Sequence, residues 1–171
     1  MNNKIKLVPI SKIPYFANQP LAWSIKEWGE GKEEFSAQNW RDFYSNALDA
    51  NYGSWDLAGE DQELIYLAIN NLNGHDEVVA AIALCDFDDF VELKKYKPGI
   101  AAFIVKEDLR GLGIGSLVLD LMEEKIKKFG IQIIYLWTEG ASEYYKNRGY
   151  IQIDTLIKGA RRIEVFQKKL F

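Results

Sequence analysis

The chain has 171 residues, 48% of them hydrophobic and 13% aromatic, which suffices for a good core in a single domain. A net charge of −4, with no run of more than two basic residues, argues against a nucleic-acid-binding face. The lone Cys85 excludes an internal disulfide, and no apolar run reaches the ~20 residues of a membrane span.

The start of the chain, Met1-Asn2-Asn3-Lys4-Ile5, has no secretory apolar segment, so the expected location is the reducing cytoplasm. Neither nucleic acid nor membrane is an expected partner. The acidic balance mildly favours a cationic small molecule or a peptide amine. Cys85 ends an apolar run and reads as a small core residue.

Residues 4–8 predict a first strand, ended by Pro9. Pro20 suits the first turn of a helix running to about Trp28, with Leu21, Ile25 and Trp28 on one side and Gly29 near its end. Ser36 caps a second helix, in which Trp40, Phe43, Tyr44, Ala47 and Leu48 recur as a buried stripe. Residues 51–60 form a loop. The apolar segments 63–70 and 77–85 flank Asn73-Gly74 and predict an antiparallel hairpin. After a polar connection, residues 100–105 carry no charge and predict a central strand covered on both faces.

A glycine-rich turn then leads into a helix over 115–128. Val118, Met122 and Ile126 face inward, while Asp120, Glu123, Glu124, Lys127 and Lys128 face water and Gly130 stops the helix. Residues 131–137 form the next strand, completing a parallel crossover unit. A short helix over 141–147 and two strands, 150–157 and 161–170, close the chain. The order is β-α-α-β-β-β-α-β-α-β-β, an α/β (α+β) protein with a mixed sheet.

The turn reads Arg110-Gly111-Leu112-Gly113-Ile114-Gly115. Glycines let a backbone approach a ligand closely, and the start of the next helix adds unpaired N–H groups, so the geometry suits phosphates. The dinucleotide fingerprint fails, because Ser116 or Val118 falls at the final glycine position. The Walker loop fails because no Gly-Lys pair is present. Two readings remain: a tight turn with no ligand, or the pattern R/Q-x-x-G-x-G/A, matched by Arg110, Gly113 and Gly115, in which successive N–H groups hold the pyrophosphate of coenzyme A.

A second segment, TEGASEYYKNRGY from Thr138 to Tyr150, bears on that choice. Val105, Arg110, Gly113 and Gly115, followed by Ala141, Tyr144, Tyr145, Gly149 and Tyr150, together resemble the acyl-CoA N-acyltransferase (GNAT) superfamily. The resemblance covers residues 63–171, and the two N-terminal helices take the family's variable acceptor side. It implies that the backbone of Phe103, Ile104 and Val105 pairs with the pantetheine amides of acetyl-CoA and polarises the thioester carbonyl. It implies a pyrophosphate cradle formed by Arg110, Gly111, Leu112, Gly113, Ile114, Gly115 and Ser116. Thr138 stands where many members have an asparagine that contacts the coenzyme, and it is shorter.

The resemblance also makes Tyr145 the candidate general acid, also touching the coenzyme. A phenol of pKa ~10 can protonate a leaving thiolate of pKa ~8.5. Tyr144 reads as the core residue of the pair. The acceptor amine, with a pKa of ~10.4, is neutral in about 1 in 2,500 molecules at pH 7, so a base is needed. Glu139 is one candidate. Asp86, Asp88, Asp89 and Glu92 read as a solvated face that could draw in a cation, and His75 as an exposed turn residue. None is assigned. No histidine or cysteine cluster is present, so no metal is expected.

Trp23, Trp28, Trp40 and Tyr44 could line an acceptor pocket, although helical spacing places most of them in the core. Tyr52 and Trp55 are freer to meet a substrate. The apolar final strand could pair with another chain in a homodimer. The implied activity is acetyl-CoA-dependent N-acetylation of a primary amine, on a small molecule or peptide, by direct attack in a ternary complex. The alternative is a CoA-binding sensor or scaffold without catalysis.

Overall fold

The computed structural model describes residues 4–29, 36–86 and 89–171. Its elements follow the predicted order: β1 (Ile5–Pro9), α1 (Asn18–Ser24), α2 (Ala37–Leu48), β2 (Glu63–Leu72), β3 (His75–Cys85), β4 (Gly99–Val105), α3 (Ile114–Lys128), β5 (Ile133–Thr138), α4 (Ser142–Asn147), β6 (Ile151–Lys158) and β7 (Arg161–Lys169). Seven strands form one mixed sheet in the order β1-β2-β3-β4-β5-β7-β6, parallel only between β4 and β5. Among the described residues, no helix is long and apolar enough to cross a membrane.

The β2–β3 hairpin turns on Asn73 and Gly74, both in left-handed backbone at φ +52° and +83°. That conformation matches the right-handed twist of the flanking strands. The strands therefore continue to Leu72 and His75, each two residues beyond the prediction. Pro9 is the last residue of β1, opposite Tyr66, and the strand ends there as expected; β1 is an edge, where a missing N–H costs no ladder bond.

Side chains alternate between two apolar layers. On one face, Leu64, Ile82, Ile100, Ile134 and Phe166 pack under Val118, Leu119, Met122 and Ile126 of α3. On the other, Ile65, Leu67, Ala81, Ala83, Ala101 and Ile104 meet Tyr44 and Ala47 of α2, with Leu21 of α1 beside them. A third cluster, Phe90, Leu93, Ile163 and Val165 with Trp137, covers β5 and β7.

Four expectations change. The first helix reaches Gly29 as expected, but its last turn is not α-helical. The Ser24 hydroxyl bonds back to the Pro20 carbonyl (2.9 Å), and the chain widens into a π-helical turn, Ile25–Gly29. Glu123 is not on the wet side of α3. It is 6% exposed and accepts from Lys168 Nζ (2.8 Å) and the Tyr150 hydroxyl (2.9 Å). Tyr52 and Trp55 do not reach a substrate cleft: Trp55 is buried, and the Tyr52 hydroxyl donates to the Ala47 carbonyl (2.8 Å) and accepts from Ile65 N–H (3.0 Å). The final strand β7 lies between β5 and β6, so it has no free edge to offer a second chain.

The Glu123–Lys168 pair gives a stability test. Removing one partner leaves the other charge in a poorly solvated place, which typically costs about 3 kcal/mol or more. Glu123→Ala should lower unfolding stability by about that amount in urea titration. A loss below ~1 kcal/mol, the size of a surface pair, would show that Lys168 finds water instead.

Candidate active site

Strands β4 and β5 touch at one place and then part. Gly99 registers with Tyr135, and Tyr135 N–H donates to the Pro98 carbonyl (3.1 Å). Beyond that point β4 stays paired with β3 as far as Val105, and β5 stays paired with β7 as far as Thr138. Residues 100–105 thus keep a backbone edge with no strand partner on the β5 side. A bulge disturbs the same strand, where Ala102 and Phe103 together oppose Ile82, and Ala102 takes a left-handed φ of +47°. Such a conformation is costly for a residue with a Cβ and is concentrated at functional sites.

The unpaired edge leads to the glycine turn. Gly111 and Gly113 have φ of +77° and +83°, and a Cβ at either would meet no protein atom within 4 Å. Gly113 is the N-cap of α3 and no side chain caps it, so the first N–H groups of the helix face outward unpaired. Gly115 has a different role: a Cβ there would lie 3.5 Å from Val105 and 3.6 Å from Phe103, where α3 packs close to β4. Arg110 braces the turn. Its Nε donates to the Val105 carbonyl (3.0 Å) and its own N–H to the Glu107 carbonyl (3.3 Å). Leu112 is exposed, and Ile114, the first residue of α3, is buried.

Helix α4 is tied to the start of α3. Ser116 and Tyr144 share a hydroxyl–hydroxyl hydrogen bond (3.3 Å), and Arg148 donates to the Ser116 carbonyl (3.2 Å) and to Asp120. Tyr144 is 36% exposed, so the expectation that it is the core residue of the pair is reversed. Tyr145 is the packed one, with its ring against Tyr150 (5.6 Å) and Phe166 (6.3 Å) while still lining the gap. Burial pushes its hydroxyl up to about 12, which keeps it protonated at any working pH. Thr138 also lines the gap, and its hydroxyl accepts from Ala141 N–H (3.3 Å) at the entry to α4.

The gap opens into a cleft of about 830 Å³ between the second and third apolar clusters. Trp28, Trp40 and Phe43 line one wall, Ala101, Ala102 and Phe103 the floor, and Trp137 and Tyr145 the other wall. Trp28 and Trp40 stack at 5.2 Å, a contact that the π-helical turn makes possible.

The expected bases fare differently. Glu139 lines the cleft but is paired with Arg161 (2.6 Å). Asp86 is buried and accepts from Gln62. Glu92 is paired with Lys158, and His75 lies at the far hairpin turn. Asp89 reaches the cleft, whereas Asp88 falls outside the described residues. Among the described residues, no group of His, Cys, Asp or Glu is placed to hold a metal.

The carboxylate that sequence reasoning missed is Glu63. It lines the cleft, and burial with the nearby Asp61 charge raises its pKa to about 7, partly offset by a hydrogen bond from Asn46. Its sequence signal was a lone acid at the mouth of an otherwise apolar strand, Glu63-Leu64-Ile65-Tyr66-Leu67.

An unpaired central strand edge, an open glycine turn and a helix start thus lie in line beside a cleft with aromatic walls. The sequence model of the acetyltransferase (GNAT) family matches residues 21–150. The chain belongs to the acetyltransferase (GNAT) family.

Solved acetyltransferases share its architecture. An aminoglycoside 6'-N-acetyltransferase complexed with coenzyme A aligns with TM-score 0.67 at 14% identity, over 98% of this chain and 97% of that one. An acetyltransferase from Streptococcus agalactiae aligns with TM-score 0.65 at 16% identity, over 96% and 98%. A mutant spermidine N-acetyltransferase from Vibrio cholerae aligns with TM-score 0.61 at 10% identity, over 98% and 95%. At these identities the likeness is one of fold. No curated protein matches the chain.

For this acetyltransferase, the open space at Gly113 and the uncapped α3 fit a pyrophosphate group. Gly113→Val should weaken acetyl-CoA binding at least tenfold in isothermal titration, because a branched side chain would occupy the cradle in strained backbone. Retained affinity would count against the cradle. Glu63 gives a pH test. Its pKa is raised from 4.5 to about 7, so its cost to the fold is absent below pH 4.5, grows up to pH 7 and is complete above. Glu63→Gln should therefore raise Tm relative to wild type more at pH 8 than at pH 5.

Proposed function

We propose that this acetyltransferase moves the acetyl group of acetyl-CoA to the nitrogen of a primary amine, by direct attack in a ternary complex. The observation that carries the reading is the continuity of the site. The unpartnered β4 edge runs from the glycine cradle to the cleft, so a donor held by its pyrophosphate at one end presents its thioester at the other.

When bound, acetyl-CoA supplies an activated acetyl thioester. Backbone groups of Phe103, Ile104 and Val105 hold its amide-bearing arm, as an added strand would be held. The N–H groups from Gly111 to Ser116 face its pyrophosphate, with Arg110 bracing the turn. One N–H of that same stretch, next to the left-handed Ala102 in the cleft floor, would polarise the thioester carbonyl. Tyr145, protonated and in the wall of the gap, donates to the departing thiolate. Thr138 holds the entry to α4, and with it Tyr145.

Acetyl-CoA should raise Tm in a thermal-shift assay, and an amine panel should release free thiol. No shift at millimolar acetyl-CoA would defeat the donor assignment. Tyr145→Phe should lower kcat by roughly a hundredfold, the lower end of what a positioned acid contributes, while leaving acetyl-CoA binding intact. An unchanged kcat across pH 6–9 would reduce Tyr145 to a packing role.

A further inference from the structure

We propose that the recess formed by Glu63, Trp28, Trp40 and Phe43 is the acceptor subsite, that it receives one ammonium carried on a ring-sized apolar body, and that Glu63 takes the proton from that ammonium. The proposal rests on the N-acetyl transfer reading above and gives it a substrate class and a base.

Strand alternation sets the direction of Glu63. Ile65, Leu67 and Ile69 face the α2 side of the sheet, so Glu63 does too, as do Cys85 on β3 and Ala101 on β4. Glu63 registers with Cys85, and Cys85 with Gly99. Two strand spacings of ~4.8 Å separate its backbone from β4. A glutamate side chain and an amine, or one intervening water, span that distance.

The charges in the cleft single out Glu63. Glu139 is held by Arg161 (2.6 Å), and Glu27 lies 3.6 Å from Arg110. Asp89 has an interaction of its own. The Glu63 Oε2 atom is buried with no hydrogen-bond partner among the described residues, while Asn46 bonds to the same side chain. Buried carboxylate oxygens in native proteins are nearly always satisfied, so this one calls for a water, an ion or a ligand to meet it. Around it the walls are aromatic. Trp28, Trp40 and Phe43 offer flat apolar faces, which suit a ring or the face of a cation, while Glu27 and Glu139 across the cleft are already engaged by Arg110 and Arg161.

Proton transfer follows from the same arrangement. The groups facing Glu63 are Asp61 from the preceding turn, Asn46 from α2 and Cys85 from β3, with the Glu27 and Glu139 pairs and Asp89 across the cleft. None of them brings Glu63 an ion-pair partner, and Asp61 disfavours its charge. With a pKa near 7 rather than 4.5, Glu63 is roughly 300-fold better matched to an amine proton than an ordinary glutamate.

The ammonium gives one proton to Glu63. The freed nitrogen lone pair forms the N–C bond to the thioester carbonyl as the C–S bond breaks. The thiolate takes a proton from Tyr145, and the nitrogen's surplus proton restores Tyr145. The products are an amide, a free thiol and a protonated Glu63 that returns its proton to water.

The test compares 2-phenylethylamine and tryptamine with spermidine and kanamycin, by thiol release from acetyl-CoA, in wild type and Glu63→Gln. The ring-bearing monoamines should show kcat/KM at least tenfold above either polycation. Glu63→Gln should lower kcat about a hundredfold, and the rising limb of kcat/KM near pH 7 should vanish with it. The variant should keep the full acetyl-CoA-induced Tm shift, and 2-phenylethylamine should stabilise its CoA complex less than that of wild type. A variant with wild-type kcat and pH profile would overturn the role of Glu63, and preference for spermidine or kanamycin would overturn the acceptor class, both leaving N-acetyl transfer standing. A wild type without a limb near pH 7 would count against Glu63 even if the variant failed to fold. A wild type that binds acetyl-CoA but releases no thiol with any amine would overturn the transfer reading itself.

Discussion

The separation of β4 from β5 beyond the Gly99–Tyr135 contact governs this molecule. A parallel pair normally continues its ladder, because buried backbone donors and acceptors left unmatched are expensive. Here each strand keeps its other neighbour, β3 for β4 and β7 for β5, so half of each ladder survives the split. The two halves of the sheet also carry separate apolar clusters on the α2 side, one built on Ala101 and Ile104, the other on Phe90, Ile163 and Val165. The cleft is the seam between those clusters. The gap beside β4 and the aromatic recess next to it are therefore products of one decision about strand pairing.

A short helix bridges the seam on the opposite side. With six residues, α4 is too short to persist by its own hydrogen bonds. It is held by Thr138 at its entry, by the Ser116–Tyr144 and Arg148–Asp120 contacts to α3, and by Tyr145 packed on Tyr150 and Phe166. Behind Tyr150, the Glu123 carboxylate and Lys168 fix α3 against β7. The glycine turn at the start of α3 and the Tyr145 hydroxyl thus share one polar scaffold.

How much of this was legible in the sequence follows from the range of the forces involved. The hairpin, the uncharged central strand and α3 announce themselves through local periodicity and a left-handed Asn-Gly turn. The glycine cradle is equally local. Glu123 looked wet because its helical neighbours are charged, and only Lys168 and Tyr150, brought in by the last strands, make its burial tolerable. Tyr144 and Tyr145 are adjacent, so which ring turns inward depends on how α4 docks, which no helical repeat encodes. The position of β7 inside the sheet and the placing of Glu63 against an aromatic recess are likewise settled by distant segments. The π-helical turn at Ile25–Gly29 escaped because Ser24 competes for a backbone carbonyl through a side chain that any helix tolerates.

The unpaired stretch of β4 also has a bearing on how the protein survives. Exposed strand edges are templates for other chains, and most proteins cap them, charge them or bury them. This one keeps such an edge in the middle of its sheet, in the apolar sequence Ile100-Ala101-Ala102-Phe103-Ile104-Val105, with no β5 partner among the described residues beyond Gly99. If acetyl-CoA fills the gap as proposed, it would also stand in for an eighth strand, and the amides of that edge would exchange more slowly in the bound protein than in the free one. On that reading the supply of donor would bear on the protein's persistence as well as on its rate.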